Sequence, residues 1–150
     1  MTHPASVLAW LTEATWPACV DAVRTHAPED ADVVLLHVTG HDAAGIAHGA
    51  YAGLLGRGHR ELDPGNRLEG LGAASADRLF AAAERRLGRP CRRLERHGRA
   101  EHEVVAAAEG AGLLVVVRDG DTRRPGPGSL GPEARFVVDH ATCPVLLVGP

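Results

Sequence analysis

Gly126-Pro-Gly-Ser-Leu-Gly131 spaces three glycines as Gly-x-Gly-x-x-Gly, a pattern that lets bare backbone N–H groups approach a phosphate. Arg118, Arg123 and Arg124 precede it and Ser129 lies within it. With Gly128 these are the anion contacts the sequence offers, because a guanidinium presents several donors in a fixed fork. The motif requires a strand directly before it and a helix directly after. A helix follows here, but no strand adjoins, so the segment reads as a tight, proline-stiffened turn leading into a helix cap. The sixteen basic side chains are all arginine. A chain without lysine has no Walker A loop and no Schiff-base nucleophile.

Other chemistry-bearing residues form no set. Nine histidines are scattered, with no His-Glu-x-x-His and no cysteine–histidine ladder, and His140-x-x-Cys143 is half a site. His41, His48 and His59 share one long loop, but their spacing matches no zinc arrangement, so no metal is expected. Asp139 and His140 are neighbours on a predicted helix, where successive side chains diverge by about 100° and cannot pair. Ser129 lacks the Gly-x-Ser-x-Gly elbow of a serine hydrolase. No catalytic residue is assigned.

The elements that must position these residues follow from the apolar runs. Val7–Leu11, Val33–Val38, Leu113–Val117 and Val145–Val148 are short, nearly continuous and bounded by polar residues. Continuous rather than alternating hydrophobicity predicts strands covered on both faces, as in a parallel sheet. A weaker strand is predicted at 91–96. Helices are predicted over Thr15–His26, Ser75–Leu87, Ala100–Gly110 and Pro132–His140, and Leu79, Ala83 and Leu87 form an apolar stripe. Pro132 suits a first helical position. The stretch from Gly40 to Gly70, rich in Gly and His, is expected to be a long loop. With 45% apolar residues and only 3% aromatic, the core must be Val, Leu and Ala.

This alternation predicts a single domain over residues 1–150, an α/β fold with a five-stranded doubly wound parallel sheet in the order 3-2-1-4-5. The winding reverses between strands one and four, and ligand crevices lie at the carboxyl ends of strands at such a point. Thr12 and Glu13 after the first strand, and Arg118 to Gly131 after the fourth, are the residues placed there.

The segments VLAWL, ADVVLLHV, HGRAEHEVVAAAEGAGLLVVV and FVVDHATCPVLLV, in this order and spacing, resemble the universal stress protein family. The ending, a helix followed by His-Ala-x-Cys-Pro and a Val/Leu strand, is the most specific part. The resemblance covers nearly the whole chain and implies a Rossmann-like sheet of the adenine nucleotide alpha hydrolase-like type. In one subclass of the family it also implies ATP at the switch point, held by Gly-x2-Gly-x9-Gly-Ser/Thr after strand four and an Asp after strand one. Counted back from His140, those positions fall here on Arg118, Asp121, Gly131 and Pro132, and the Asp position falls on Thr12.

These departures change the expected chemistry. Arg118 fills space that a glycine leaves open, Asp121 repels phosphate, and Pro132 has neither hydroxyl nor N–H. Glu133 adds an anion at the helix start, where it satisfies the dipole in place of a ligand. The candidate ligand-binding set is Thr12, Val38, Arg118, Asp121, Gly126, Gly128, Ser129 and Gly131. The leading expectation is a non-enzymatic regulatory or stress-response protein that does not bind ATP in the standard way. An alternative is a module taking ATP, another adenine nucleotide or a small anion in a modified pose. A third, adenine nucleotide hydrolysis, rests on fold analogy.

Partners follow from charge and edges. A net charge of −3 with scarce aromatics argues against nucleic acid as a partner. The arginine run from Arg85 to Arg99 reads as a solvated helix end and a guarded edge strand. The opposite edge, Val145, Leu146, Leu147 and Val148, carries no such guard and is expected to pair with its copy in a homodimer, as the resemblance also implies. Three cysteines without a Cys-x-x-Cys pair, no secretion signal and no apolar run of about 20 residues predict a cytoplasmic protein away from membranes.

Overall fold

The computed structural model describes residues 5–40, 64–121, 123 and 127–150. Among them the four Val- and Leu-rich runs and one arginine-rich stretch form five strands: β1 (Ser6–Leu11), β2 (Asp32–Thr39), β3 (Arg92–His97, the arginine-rich one), β4 (Leu113–Val117) and β5 (Val145–Val148). Four α-helices alternate with them: α1 (Trp16–His26), α2 (Pro64–Leu87), α3 (Ala100–Ala108) and α4 (Pro132–His140). The sheet order is β3-β2-β1-β4-β5, as the alternation of elements predicted. Every pairing is parallel, with Val7 opposite both Val33 and Leu113.

Strand alternation divides the core into two layers. Val7, Ala9, Leu11, Val33, Leu35, Val115 and Val117 point toward α1 and α2, meeting Val20, Val23, Leu79, Phe80 and Ala83. Leu8, Trp10, Leu36, Leu114 and Val116 point the other way, toward Val104 and Ala108 of α3 and Ala134 and Val137 of α4. Burial on both faces is why these strands read as unbroken apolar runs.

One boundary differs from the sequence expectation. Helix α2 begins at Pro64 rather than Ser75, so the stretch expected to be a loop through Gly70 is helical from residue 64 onward. Gly65, Gly70 and Gly72 lower the helix propensity of this first half and mask it in the sequence. The remainder of that stretch, with His41, His48 and His59, lies outside the described residues.

The arginine run is tied into the fold. Arg86 makes two 2.8 Å hydrogen bonds to Asp21 of α1. Arg89 donates to the carbonyls of Pro28, Glu29 and Ala31, holding the turn between α1 and β2. Arg92 pairs with Asp32, and Arg93 of the edge strand β3 pairs with both Asp77 and Glu84 of α2. Such exposed pairs contribute little individually, but they fix the register of an edge strand that has few apolar contacts. No described helix is long and apolar enough to cross a membrane.

Candidate functional site

Strands β1 and β4 are neighbours at the centre of the sheet, and their connections leave in opposite directions. Their carboxyl ends are therefore where a ligand crevice is expected in a doubly wound sheet. On the β1 side, Thr12 turns the chain into α1. Its hydroxyl lies 2.6 Å from that of Thr15 and accepts the Thr15 N–H at 3.2 Å, while its carbonyl accepts the Trp16 N–H at 3.0 Å. Thr12 is thus engaged in starting a helix. His37 Nδ1 donates to Leu11 O at 3.1 Å and clamps the ends of β1 and β2 together. Val38, half-buried, packs with the layer of α3 and α4.

On the β4 side two short segments lie against each other. The Arg118 N–H donates to Val148 O at 2.8 Å, which extends the β4–β5 pairing by one residue. The chain then folds back through a 3-10 turn at Pro127–Ser129. The Gly120 N–H meets Ser129 O at 3.0 Å, and the Asp121 N–H meets Gly128 O at 2.8 Å. The contact is so close at Gly120 that an added Cβ would stand 2.1 Å from Gly128 O, so only glycine fits. Across the same junction, Arg118 Nη1 donates to Ser129 Oγ at 2.7 Å. Ser129 is one of two buried polar residues, with Thr15, among those described.

Helix α4 starts from this junction. Gly131 is its N-cap, Pro132 opens its first turn and Glu133 supplies an acidic group there. The Gly131 N–H is taken by Asp119 Oδ1 at 2.7 Å. Asp119, which stands between Arg118 and Asp121, occupies no position of the glycine motifs. The one signal in the sequence was an Asp before a Gly, a common turn pair.

The structure therefore brings Arg118, Asp121, Gly128, Ser129 and Gly131 together, with Thr12 at the end of the adjoining strand. Gly126 and Arg124 lie outside the described residues. Asp121 also accepts from Arg123, through its N–H at 3.1 Å and its Nε at 3.3 Å. Three N–H groups that a phosphate loop would present, those of Gly120, Asp121 and Gly131, already have acceptors inside the chain. No cluster of three or more potential metal ligands occurs among the described residues.

A second concavity, of about 280 Å³, lies at the other end of the sheet over Leu8, Val34 and Leu94. Small residues at the end of α3, including Ala107, Gly110 and Ala111, leave it unfilled. Its charged lining residues are Arg92, paired with Asp32, Arg93, paired with Asp77 and Glu84, and Glu109.

The family model described as the universal stress protein family matches residues 11–149, which spans both sides of the crevice and β5. The chain belongs to the universal stress protein family. Solved structures agree on the fold. The hypothetical protein MJ0577 is 18% identical, with a TM-score of 0.73 over 99% of this chain and 98% of that one. Universal stress protein UspA from Lactobacillus plantarum is 19% identical, with a TM-score of 0.66 over 98% of this chain and 99% of its own. A universal stress protein in complex with cAMP is 17% identical, with a TM-score of 0.61 over 99% and 98%. No curated protein matches the chain. In this universal stress protein, β5 occupies one sheet edge and all four of its residues, Val145 to Val148, are half-buried.

Proposed function

We propose that this universal stress protein is a non-enzymatic regulatory protein of the stress response, whose switch-point crevice does not hold ATP in the manner of a glycine-lined phosphate loop. The observation that carries this reading is the internal pairing of the loop. The N–H groups of Gly120, Asp121 and Gly131 are bonded to Ser129 O, Gly128 O and Asp119, and Arg118 is bonded to Ser129 across the same junction. A triphosphate would have to break these bonds and enter beside Asp119, Asp121 and Glu133, with no lysine to offset its charge.

The role then falls to a surface, and β5 supplies one. A parallel sheet's edge strand with a row of open N–H and C=O groups pairs readily with another strand. Antiparallel pairing of Val145, Leu146, Leu147 and Val148 with their counterparts gives a closed homodimer. Sedimentation at micromolar concentration should return a dimer mass; a monomer mass rejects this part. The three free cysteines, Cys19, Cys91 and Cys143, suit the reducing cytoplasm, which we take as the protein's location.

A second reading, a module for a small anionic ligand or an adenine nucleotide in a modified pose, is favoured by the Arg118 guanidinium at the crevice and by the related protein solved with cAMP. Calorimetric titration with ATP, ADP, AMP and cAMP separates the two. Absence of binding supports the regulatory reading, binding without turnover supports the module, and phosphate release would establish an enzyme. The combined change Arg118→Gly, Asp119→Ala, Asp121→Gly, Pro132→Ser, which also releases the Gly131 N–H, should create ATP affinity; unchanged behaviour would reject this account of the pocket.

A further inference from the structure

We propose that Asp119 is a built-in latch: its carboxylate acts as an internal anion that keeps residues 118–121 and 128–131 paired with each other. This rests on the reading of a self-paired crevice and names the residue that governs it.

Three observations converge on Asp119. Its Oδ1 accepts the Gly131 N–H at 2.7 Å, directly ahead of α4. The hydrogen bond is charge-assisted, and the positive end of the helix dipole favours an anion at this place. The carboxylate also lies close over Gly131: a Cβ there would meet Oδ1 at 3.0 Å and Oδ2 at 3.1 Å, so the absence of a side chain at this position is what lets Asp119 approach. Finally, the backbone that carries Asp119 is anchored on the strand side, because the neighbouring Arg118 N–H is bonded to Val148 O.

The two backbone bonds of the junction lie on the far side of this clamp. Gly120 and Asp121 bond to Ser129 and Gly128, and those two residues reach Gly131 through Leu130 alone. With Asp119 holding Gly131, the returning segment is pinned at both ends, at Gly128–Asp121 and at Gly131–Asp119. Release of Asp119 frees one end, and the remaining pairs fray from it. Arg118 adds a bond to Ser129, but from a side chain rather than from the strand backbone.

The test is amide hydrogen exchange, read residue by residue on the full chain. In the wild type the Gly120, Asp121 and Gly131 amides should be protected. In Asp119→Ala all three should exchange about tenfold faster or more, the effect of losing one charge-assisted hydrogen bond. The Ala141 amide, bonded to Val137 O at the other end of α4, should keep its rate and report an intact fold. Asp119→Asn retains an oxygen acceptor without the charge and should restore only part of the protection. Faster exchange confined to Gly131 would overturn the latch, since backbone pairing alone would then hold the loop. Inorganic phosphate, titrated by calorimetry, should bind Asp119→Ala more tightly than the wild type; equal affinity also counts against the latch. ATP binding to the wild type would defeat the functional reading instead, so the two failures are distinguishable.

Discussion

Arg118 Nη1 and Ser129 Oγ lie 2.7 Å apart, so the first residue beyond β4 is bonded to a nearly buried hydroxyl at the end of the 3-10 turn. Eleven positions separate them, and the bond forms because the loop returns to its own starting point. The contact helps hold residues 118–121 against residues 128–131. It also engages the guanidinium that an incoming anion would otherwise meet.

Removing that hydroxyl should have a modest cost. Ser129→Ala leaves Arg118 half-buried and able to find water, so unfolding in urea should show a loss of about 1 kcal/mol. No loss at all would mean that the bond is not made in solution.

Gly120 is the more demanding position. A methyl group there would stand 2.1 Å from Gly128 O and 2.7 Å from the Ser129 carbonyl carbon, both backbone atoms that cannot swing aside. Gly120→Ala should therefore force the two segments apart and destabilise the protein by about 1–3 kcal/mol. A thermal melt checks the size. Loss of protection at the Asp121 amide checks the place.

Cysteine chemistry should distinguish the three thiols. Cys19 is fully buried in the α1–sheet core, and burial pushes its thiol up to about 12. A disulfide reagent at pH 8 should label it only as fast as the chain unfolds, and Cys91 and Cys143 sooner. The linkage has a definite sign. The folded thiol holds its proton beyond the point where an unfolded one loses it, so its contribution is complete below the ordinary thiol range. That contribution should decline as pH rises from about 9 toward 12. Cys19→Ala should flatten this alkaline decline; an unchanged slope would assign it elsewhere.

At the acid end, Asp21 is the group to follow. Its hydrogen bonds from Arg86 hold its carboxyl below the usual aspartate range, with the charges of Arg86 and Arg24 acting the same way. A depressed folded value means the contribution is present above the unfolded pKa, about 4, and is lost as pH falls through the folded one. Asp21→Asn should remove that part of the acid dependence. The pair is exposed, so added salt should shrink the difference, and a salt-independent effect would contradict the assignment.

The legible and illegible parts of this sequence divide along physical lines. Strand positions and the reversal between β1 and β4 could be read because Val33–Val38 and Leu113–Val117 are buried on both faces, and burial of that kind leaves continuous apolar runs. Helix α4 was legible to the residue, since Pro132 marks its start. The first turns of α2 were not, because Gly65, Gly70 and Gly72 weaken the local preference that its packed second half overrides. Topology pointed to the switch point, and the resemblance pointed to Arg118, Asp121 and Pro132 beside it. Asp119 escaped both, because its role exists only once residues 118–121 and 128–131 are side by side. No spacing rule contains that contact.

The central claim is that the N–H groups of Gly120, Asp121 and Gly131 are taken up inside the chain and leave ATP no standard seat. The most direct measurement is a titration of isotopically labelled protein with magnesium ATP, following the amide resonances of Gly120, Asp121 and Gly131. The account predicts that all three stay in place to about 1 mM nucleotide, a level that would reveal binding of only about 4 kcal/mol. Saturable movement of these three signals together at micromolar ATP would contradict it.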